Sequence, residues 1–251
     1  MSRNILTGLV GAWCPSLGPS GYTLLDRSGQ GNHGTLTNMD AASDWVGTPG
    51  GWALNFIDGQ TPNSNHVDCG QIANRLLKMP FAVSGWAYAT TYSSFSAIIS
   101  ADQSSPYAFS IRTGQLLTDG AGLSITTPTG LFHFAAVLAP NRREWWLNGK
   151  LTQSSTASFT VTPSASERIY IGVDNLPTAT GGRFWQGHLG DIAIHNRALT
   201  GAEVGVLYRA GQGGLGRLLT QRRRRVYGIT TTAVKPYLFL QRGQVIGGGM
   251  L

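Results

Sequence analysis

The stretch Asp26-Arg-Ser-Gly-Gln-Gly-Asn-His-Gly-Thr-Leu36 shows the pattern that decides the fold, a cluster of turn-forming residues followed directly by a β-prone run. Gly, Asn, Asp and Ser each stabilise tight turns, and the run that begins at Thr35 is typical of a strand. The same succession continues to about residue 200, for example in Ala82-Val-Ser-Gly-Trp-Ala87 and Ile169-Tyr-Ile-Gly172. Many short strands at roughly even spacing indicate an all-β sandwich or jelly roll.

One short helix interrupts the β pattern near the end of this region. Thr200 is followed three residues later by Glu203. This is the spacing of a capping box, in which each side chain bonds the other residue's backbone amide. The spacing predicts a helix over residues 200–208.

Length and composition limit the class of protein. The 251 residues are enough for a single sandwich domain with a sizeable core, and only 12% of them are charged, against roughly 25% in an average protein. The N-terminus shows no basic segment followed by an apolar run and a cleavage site, and no stretch is apolar enough to span a membrane. We therefore expect a soluble, unexported protein in which Cys14 and Cys69, the only cysteines, are buried thiols.

The positive charge is concentrated at one end of the chain. The net charge is +7, and residues 211–251 contain seven Lys and Arg and no acidic residue, so residues 1–210 are neutral overall. The glycine-rich segment 211–216 separates the two parts and has the composition of a flexible linker. The sequence predicts a sandwich over 1–210, a linker over 211–216 and a basic, β-prone C-terminal arm over 217–251.

The order of motifs along the chain carries a resemblance to a known family. The motifs are Leu9-Val-Gly-Ala-Trp13, the stretch 26–36, Ala53-Leu-Asn-Phe56 with Asp58-Gly59, Val67-Asp-Cys-Gly70, Phe81-Ala-Val-Ser-Gly-Trp86, Gly130-Leu-Phe-His-Phe-Ala-Ala-Val137, Trp146-Leu-Asn-Gly-Lys150, Tyr170-Ile-Gly172, and Gly187-His-Leu-Gly-Asp-Ile192 with Asn196-Arg-Ala-Leu-Thr-Gly-Ala-Glu-Val204. Over about residues 8–208 the chain resembles the LamG-like (concanavalin A-like) jelly-roll family. The resemblance implies two curved antiparallel sheets. It also implies a binding role, since members of this family more often bind glycans, proteins or other surfaces than catalyse a reaction.

The motifs of common enzyme classes are missing from the sequence. Two stretches, 29–34 and 211–216, fit G-x-G-x-x-G, but neither lies between a strand and a helix as a dinucleotide site requires. Jelly-roll glycosidases of the Glu-x-Asp-x-x-Glu type need acidic residues close together on one strand. The only glutamates, Glu144, Glu167 and Glu203, have no acidic neighbours at that spacing. We expect a protein that is not an enzyme and requires no cofactor.

A structural calcium ion is an open alternative that the superfamily implies. Calcium prefers the oxygen ligands that Asp and Asn supply, and Asp26, Asn32 and Asp191 are the candidates. The favoured interpretation is that Asp26 caps a turn and that Asp191 pairs internally. His188 and His195 lie seven residues apart on an extended segment, which predicts that they face opposite sides of a sheet.

Aromatic side chains are the candidates for a glycan-binding or other binding surface. Trp145 and Trp146 are adjacent on a predicted strand, so one faces inward and the other outward, and the family pattern places Trp146 outward. An exposed Trp could stack on a sugar ring or fill a partner's pocket. Further candidates near turns are Trp185, Tyr88, Tyr92, Tyr107 and Phe95.

The C-terminal arm has the composition of a docking segment. Arg222, Arg223, Arg224 and Arg225 are consecutive, and the following apolar runs contain Tyr237 and Phe239. Arginines can neutralise nucleic-acid phosphates, but few aromatic residues are interleaved with them for base stacking. Apolar runs can instead add strands to another protein's sheet edge while the arginines pair with its acidic surface. Docking to a protein is therefore the favoured interpretation.

Together these features predict a non-catalytic structural component of a virion, as in a tailed bacteriophage. Such a protein would decorate a capsid, or associate with the head or a fibre, displaying the sandwich and anchoring its arm in a homo-oligomeric or capsid-protein assembly. It would be found in the virion, or in the cytoplasm if it is not viral. The alternatives are a glycan-binding, lectin-like adhesion module and, third, a hydrolase with an unrecognised site.

Overall fold

A computed structural model describes residues 4–57, 65–91, 95–101, 108–119, 121–174 and 183–226, without the side chains of 221–226. Its strands are β1 (Leu9–Trp13), β2 (Thr23–Leu24), β3 (Gly34–Thr37), β4 (Trp45–Thr48), β5 (Gly51–Phe56), β6 (His66–Asp68), β7 (Phe81–Ala89), β8 (Ala97–Ala101), β9 (Phe109–Arg112), β10 (Gln115–Thr118), β11 (Ala121–Ser124), β12 (Gly130–Ala139), β13 (Arg142–Leu147), β14 (Lys150–Ser155), β15 (Ile169–Ile171) and β16 (Gly187–His195). The helices are α1 (Ala73–Leu76), α2 (Gly201–Ala210) and α3 (Gly214–Val226), with a 3-10 helix at Pro15–Leu17.

The strands form two antiparallel sheets. The first sheet has the order β14-β13-β12-β7-β16-β5-β4, with β1 also paired to β16, and the second has the order β11-β10-β9-β8-β15-β6-β3-β2. Side chains alternate across each strand, so Val83 and Ala87 of β7 lie in the main core, whereas Ala82 lies on the outer face. The expected jelly-roll sandwich of two antiparallel sheets is confirmed.

The core between the sheets is built around large aromatic side chains. Trp13, Trp145 and Phe134 are fully buried, and the rings of Phe134 and Trp145 stack at 5.8 Å. The indole groups find backbone acceptors: Trp13 Nε1 donates to the carbonyl of Asn32 at 2.8 Å, and Trp145 Nε1 donates to that of Thr126 at 3.0 Å. Because buried donors are satisfied in this way, the indoles add apolar burial without an unpaired polar atom.

A second apolar layer covers part of the outer face of the first sheet. The sheet presents small residues there, including Ala82, Ala135 and Ala193, and the covering elements bring Leu207 of α2 and Leu215 of α3. Small side chains on the strands allow the helices to approach closely. The predicted capping box of α2 is confirmed, since Thr200 and Glu203 each bond the other's backbone amide.

The glycine-rich segment 211–216 differs from the flexible linker that its composition predicts. Residues from Gly214 onward form the first turn of α3, and a Cβ on Gly213 would lie 1.9 Å from the carbonyl oxygen of Gly50. The glycines therefore allow close packing against the sandwich. The division of the chain into three parts stays a prediction, while the run Arg222–Arg225 is helical within α3. Tyr237 and Phe239 lie outside the described residues.

A β-bulge in β16 overturns the expected orientation of the two histidines. Leu189 pairs with Ala87 and Ile192 with Gly85, so β16 contains one residue more than β7 across this interval. An extra residue shifts the alternation of faces. His188, which stacks on Tyr88, and His195 consequently both lie on the outer face of the sheet.

Asp26 organises the turn at the start of the stretch 26–36. Its Oδ1 accepts hydrogen bonds from the amides of Ala12 and Ser28, both at 2.9 Å. Its Oδ2 accepts from the hydroxyl of Ser28 at 2.8 Å and from the amide of Asn32 at 2.9 Å. The side chain is buried, so one carboxylate satisfies donors from β1 and from its own turn.

We predict that Asp26→Ala lowers the free energy of unfolding by about 2–4 kcal/mol, because it leaves several buried donors unpaired. Asp26→Asn, which keeps an acceptor oxygen, should cost less. Chemical denaturation of the three proteins measures the difference. Equal stability of Asp26→Ala and the unsubstituted protein would contradict the role given to this carboxylate.

Candidate functional site

Four side chains form a row across the outer face of the first sheet at one of its ends. Strand pairing places Leu131 opposite Tyr88, Tyr88 opposite His188, and His188 opposite Asn55. Their neighbours in sequence, including Ala87 and Leu189, belong to the core, so the row itself faces outward. Helices α2 and α3 pack elsewhere on this face. We call the row Leu131, Tyr88, His188 and Asn55 the Tyr88 strip.

The strip combines an exposed apolar surface with an aromatic ring whose orientation is restricted by stacking. Tyr88 is 38% exposed and Leu131 is 49% exposed. The rings of Tyr88 and His188 stack with centroids 5.4 Å apart and planes inclined by 28°. Because this contact restricts the Tyr88 ring before any ligand arrives, less conformational entropy remains to be lost on binding.

A cleft of about 250 Å³ continues from the strip at Asn55. Its walls come from the ends of three neighbouring strands and combine polar, uncharged groups with apolar ones; the lining residues are Asn55, Phe56, Ile57, Thr90, Gln186 and Gly187. The amide and hydroxyl of Thr90 both donate to the carbonyl of Gln186, at 3.1 Å each. We call this feature the end cleft.

Only glycine fits at the start of β16, where the cleft meets the strip. Gly187 has a φ of 131°, and a Cβ there would lie 2.1 Å from the carbonyl oxygen of Tyr88. The missing side chain lets β16 and β7 lie close together at this point. The close approach holds Gln186 and Tyr88 at neighbouring positions of the same surface.

The electrostatics of the strip and the cleft suit an uncharged polar ligand. None of the described side chains that line the cleft is ionisable, and burial lowers the pKa of His188 below its usual value, so its imidazole is neutral at pH 7. Amide groups can donate to and accept from hydroxyls, and an exposed tyrosine ring can stack on an apolar sugar face. The arrangement thus combines a stacking ring with neutral hydrogen-bonding groups, and among the described residues of the strip and the cleft no nucleophile is held by a base.

Two of the aromatic side chains predicted to lie on the surface are buried, Trp185 fully and Trp146 partly. Trp185 has no exposed area and lies in the core, because residue 185 sits where the chain packs between the sheets. Trp146 does face outward, but α2 covers it: a Cβ on Gly201 would lie 2.7 Å from its ring. Its Nε1 donates to Glu144 at 3.1 Å. Trp185 is therefore closed to a sugar, and Trp146 is partly buried.

The other predicted aromatics have different outcomes. Tyr88 lies on the exposed strip, and Phe95 is 44% exposed on the neighbouring segment. Tyr92 and Tyr107 lie outside the described residues. His188, Thr90 and Gln186 were not predicted as site residues from the sequence. Only the pairing of β16 with β7 and β5 brings them beside Tyr88 and Asn55.

The three calcium candidates do not fit a calcium site. The oxygens of Asp26 already accept hydrogen bonds within their turn, and Asn32 Oδ1 accepts from the guanidinium of Arg75, a cation that would repel calcium. Asp191 instead accepts from the amides of Ser16 and Gly216, at 3.3 and 2.9 Å. Within the described ranges, no group of three or more His, Cys, Asp or Glu side chains is placed to hold a metal ion.

Two buried histidines on the outer face of the first sheet link stability to pH. His133 packs against the rings of Trp86 and Tyr208, at 5.3 and 6.0 Å, which also stack on each other, and burial lowers its pKa to about 4. His195 Nε2 bonds the carbonyl of Ile5 at 2.9 Å, and burial lowers its pKa to about 4 as well. In the unfolded chain both would take up a proton near pH 6.5.

We predict that the melting temperature falls as the pH is lowered from about 6.5 towards 4, because the unfolded chain binds protons that the folded chain excludes. Thermal melts of the unsubstituted protein and of His133→Gln and His195→Gln, taken across this range, measure the effect. Each variant should show a shallower fall. A melting temperature that is constant from pH 7 to 5 would be the contrary result.

The two antiparallel sheets and their order define a concanavalin A-like β-sandwich. A family model described as the concanavalin A-like lectin/glucanases superfamily (Laminin_G_3) matches residues 60–205, which is more than half of the chain. The chain belongs to this family, as its motifs predicted. A search of curated protein sequences finds no match.

Solved structures share this fold at low sequence identity. Domain 4 of AbnA, a GH43 extracellular arabinanase from Geobacillus stearothermophilus, in complex with arabinotriose, has a TM-score of 0.62 and 15% identity, covering 80% of this chain and 98% of that one. The binding domain of botulinum neurotoxin DC, in complex with rat synaptotagmin II, has a TM-score of 0.62 and 13% identity, covering 82% and 52%. Trypanosoma rangeli sialidase has a TM-score of 0.54 and 16% identity, covering 81% and 33%.

At these identities the likeness establishes the fold alone. This chain spans about a third of the sialidase and about half of the neurotoxin binding domain. In the part of the chain that the structure describes, no helix has the length and apolar character to cross a membrane.

Proposed function

We propose that this protein is a non-catalytic, glycan-binding β-sandwich module whose binding surface is the Tyr88 strip with the end cleft. The observation that carries the proposal is the half-exposed Tyr88 ring, held by His188 beside a cleft lined with uncharged amide and hydroxyl groups. A sugar offers apolar C–H faces and many hydroxyls, so it needs this combination of stacking ring and neutral hydrogen-bonding groups.

The solved neighbours support a glycan ligand. The arabinanase domain was solved with arabinotriose, and cell entry of botulinum neurotoxin type C, which has a TM-score of 0.60 and 15% identity to this chain, depends on interaction with two ganglioside molecules. One of the neurotoxin structures instead holds a protein, synaptotagmin II. The common fold therefore supports recognition of an external surface, and the neutral cleft of this chain favours a sugar.

The positions of the glutamates support a non-catalytic role. Glu203 belongs to the α2 capping box and pairs with Arg197 at 2.8 Å, and Glu144 accepts from the indole of Trp146. Glu167 accepts from the amide of Ser164 at 2.9 Å. Each carboxylate supports its own local structure, whereas glycoside hydrolysis commonly uses a facing pair. A hydrolase with an unrecognised site is the third and least supported function.

We predict that Tyr88→Ala weakens glycan binding by about five- to thirtyfold, because stacking of a sugar on an aromatic ring contributes on the order of 1–2 kcal/mol. The measurement is a glycan array followed by calorimetry on the strongest binder. The matched control is Tyr22→Ala, since Tyr22 is 60% exposed and lies outside the strip and the cleft. If Tyr88→Ala binds as well as the control does, the strip is not the binding surface.

A role as an assembly component remains the second candidate, supported by the way α3 joins the sandwich. Leu215 is buried in the outer layer and Leu218 and Leu219 pack against it, while the four consecutive arginines follow in the same helix. The basic segment therefore leaves the sandwich along a helix fixed to it. We propose, as this second function, that Arg222–Arg225 and residues 227–251 together anchor the module to a virion or capsid protein and that the sandwich faces outward.

We predict that deleting residues 227–251 leaves the melting temperature nearly unchanged but prevents incorporation into the assembly. The cut falls after α3, so the packing of Leu218 and Leu219 is kept. The matched control deletes 217–251, which removes that packing and should lower the melting temperature. Quantitative blotting of purified particles measures incorporation. A chain lacking 227–251 that enters particles normally would disprove anchoring by this segment.

A further inference from the structure

A buried carboxylate on the outer side of the second sheet lies between two arginines. Asp174 is fully buried, and its Oδ1 accepts from the hydroxyl of Ser110 at 2.7 Å. Its Oδ2 accepts from Arg112 Nη1 at 3.1 Å and from Arg183 Nη1 at 3.3 Å. One carboxylate therefore faces two guanidinium groups, and this cluster carries one positive charge in excess.

The two arginines differ in how their remaining donors are used. Arg112 Nε and Nη2 both donate to Gln115 Oε1, at 3.2 and 2.5 Å, so Arg112 is held by its own strand pair. Arg183 is bonded to Asp174 through Nη1 alone, and across the described residues its Nε and Nη2 donate to no acceptor. Its side chain is 22% exposed. The Nε and Nη2 edge is the one that binds a carboxylate through two parallel hydrogen bonds.

An exposed aromatic ring completes the cluster. Phe95 is 44% exposed, and the guanidinium carbons of Arg112 and Arg183 lie 4.7 and 5.6 Å from its ring centre. These cation–π contacts and the bond to Asp174 restrict the Arg183 guanidinium from two directions. A restricted guanidinium loses less entropy when it binds an anion.

The cluster and the end cleft are built on the same two segments. Thr90 and Gln186, which line the cleft, are bonded through the amide of Thr90 and the carbonyl of Gln186 at 3.1 Å. A few residues further along, the amide of Ala97 donates to the carbonyl of Arg183 at 3.4 Å. Arg183 is thus three residues from the cleft wall on a segment tied to its neighbour at both places.

We propose that Arg183 binds the carboxylate of an acidic sugar, with Phe95 beside the sugar ring, while the uncharged part of the same glycan lies in the end cleft. This inference rests on the proposed glycan-binding function and specifies that the glycan is negatively charged. Uronic acids and sialic acids both carry the carboxylate that the Arg183 edge can bind through two hydrogen bonds.

The experiment compares acidic glycans with their neutral counterparts by calorimetry. One pair is sialyllactose and lactose, and the other is trigalacturonate and its carboxyl-reduced form, so the two pairs separate the two sources of carboxylate. We expect one acidic member to bind at least about tenfold more tightly than its neutral counterpart. Arg183→Lys keeps the charge but loses the paired hydrogen bonds, and should remove most of this preference.

The matched control is Arg142→Lys. Arg142 is exposed, pairs with Glu144 at 3.5 Å and lies at the opposite end of β12 and β13 from Leu131, so its variant should keep the full preference. Phe95→Leu retains the charges and should weaken binding of the acidic glycan by several-fold. Melting temperatures of all three variants establish that each is folded.

The outcomes separate this inference from the proposed function. Equal binding of acidic and neutral glycans by the unsubstituted protein overturns the carboxylate site and leaves glycan binding in place. No binding of any glycan overturns both. A preference for acidic glycans that survives in Arg183→Lys overturns the assignment to Arg183. If Arg183→Lys does not fold, the inference fails when Phe95→Leu binds the acidic glycan with undiminished affinity.

Discussion

The buried carboxylate of Asp191 fixes how the outer face of the first sheet is covered. It accepts hydrogen bonds from the amides of Ser16, in the 3-10 helix, and of Gly216, in the first turn of α3. First-turn amides have no partner within their own helix, so an external carboxylate both satisfies and orients them. Burial raises the pKa of Asp191, yet these donors hold the group in place. The helices are therefore directed over the small residues of the sheet and leave its other end open.

This division of one sheet face explains why Tyr88 is more exposed than Trp146. Both side chains point to the same side of the first sheet, but α2 lies on Trp146 through Gly201, whereas Tyr88 is beyond the covering helices. The open end also receives the segments that carry Thr90 and Arg183. A neutral cleft and a cationic cluster are thus built on the same two neighbouring segments, although they belong to different sheets.

The sequence predicted the features that depend on local spacing. The turn around Asp26 and the capping box of Thr200 and Glu203 each involve residues a few positions apart, so the local sequence is enough to predict their geometry. The candidate site could be predicted only in part, through Tyr88. Whether an aromatic residue is covered depends on a distant helix, as for Trp146, and the burial of Trp185 depends on packing between the sheets. Periodicity along one strand contains neither piece of information.

The bulge in β16 constrains how this protein can vary over evolutionary time. A substitution on the strand changes one side chain. Loss of a single residue between Leu189 and Ile192, with the bulge retained, would instead move every preceding side chain of β16 to the opposite face of the sheet. His188 would then face the core, and the apolar Leu189 would face outward opposite Trp86, so the stacking partner of Tyr88 would be lost. Related chains can therefore differ widely in residue type along β16, yet must keep its length for the strip to exist at all.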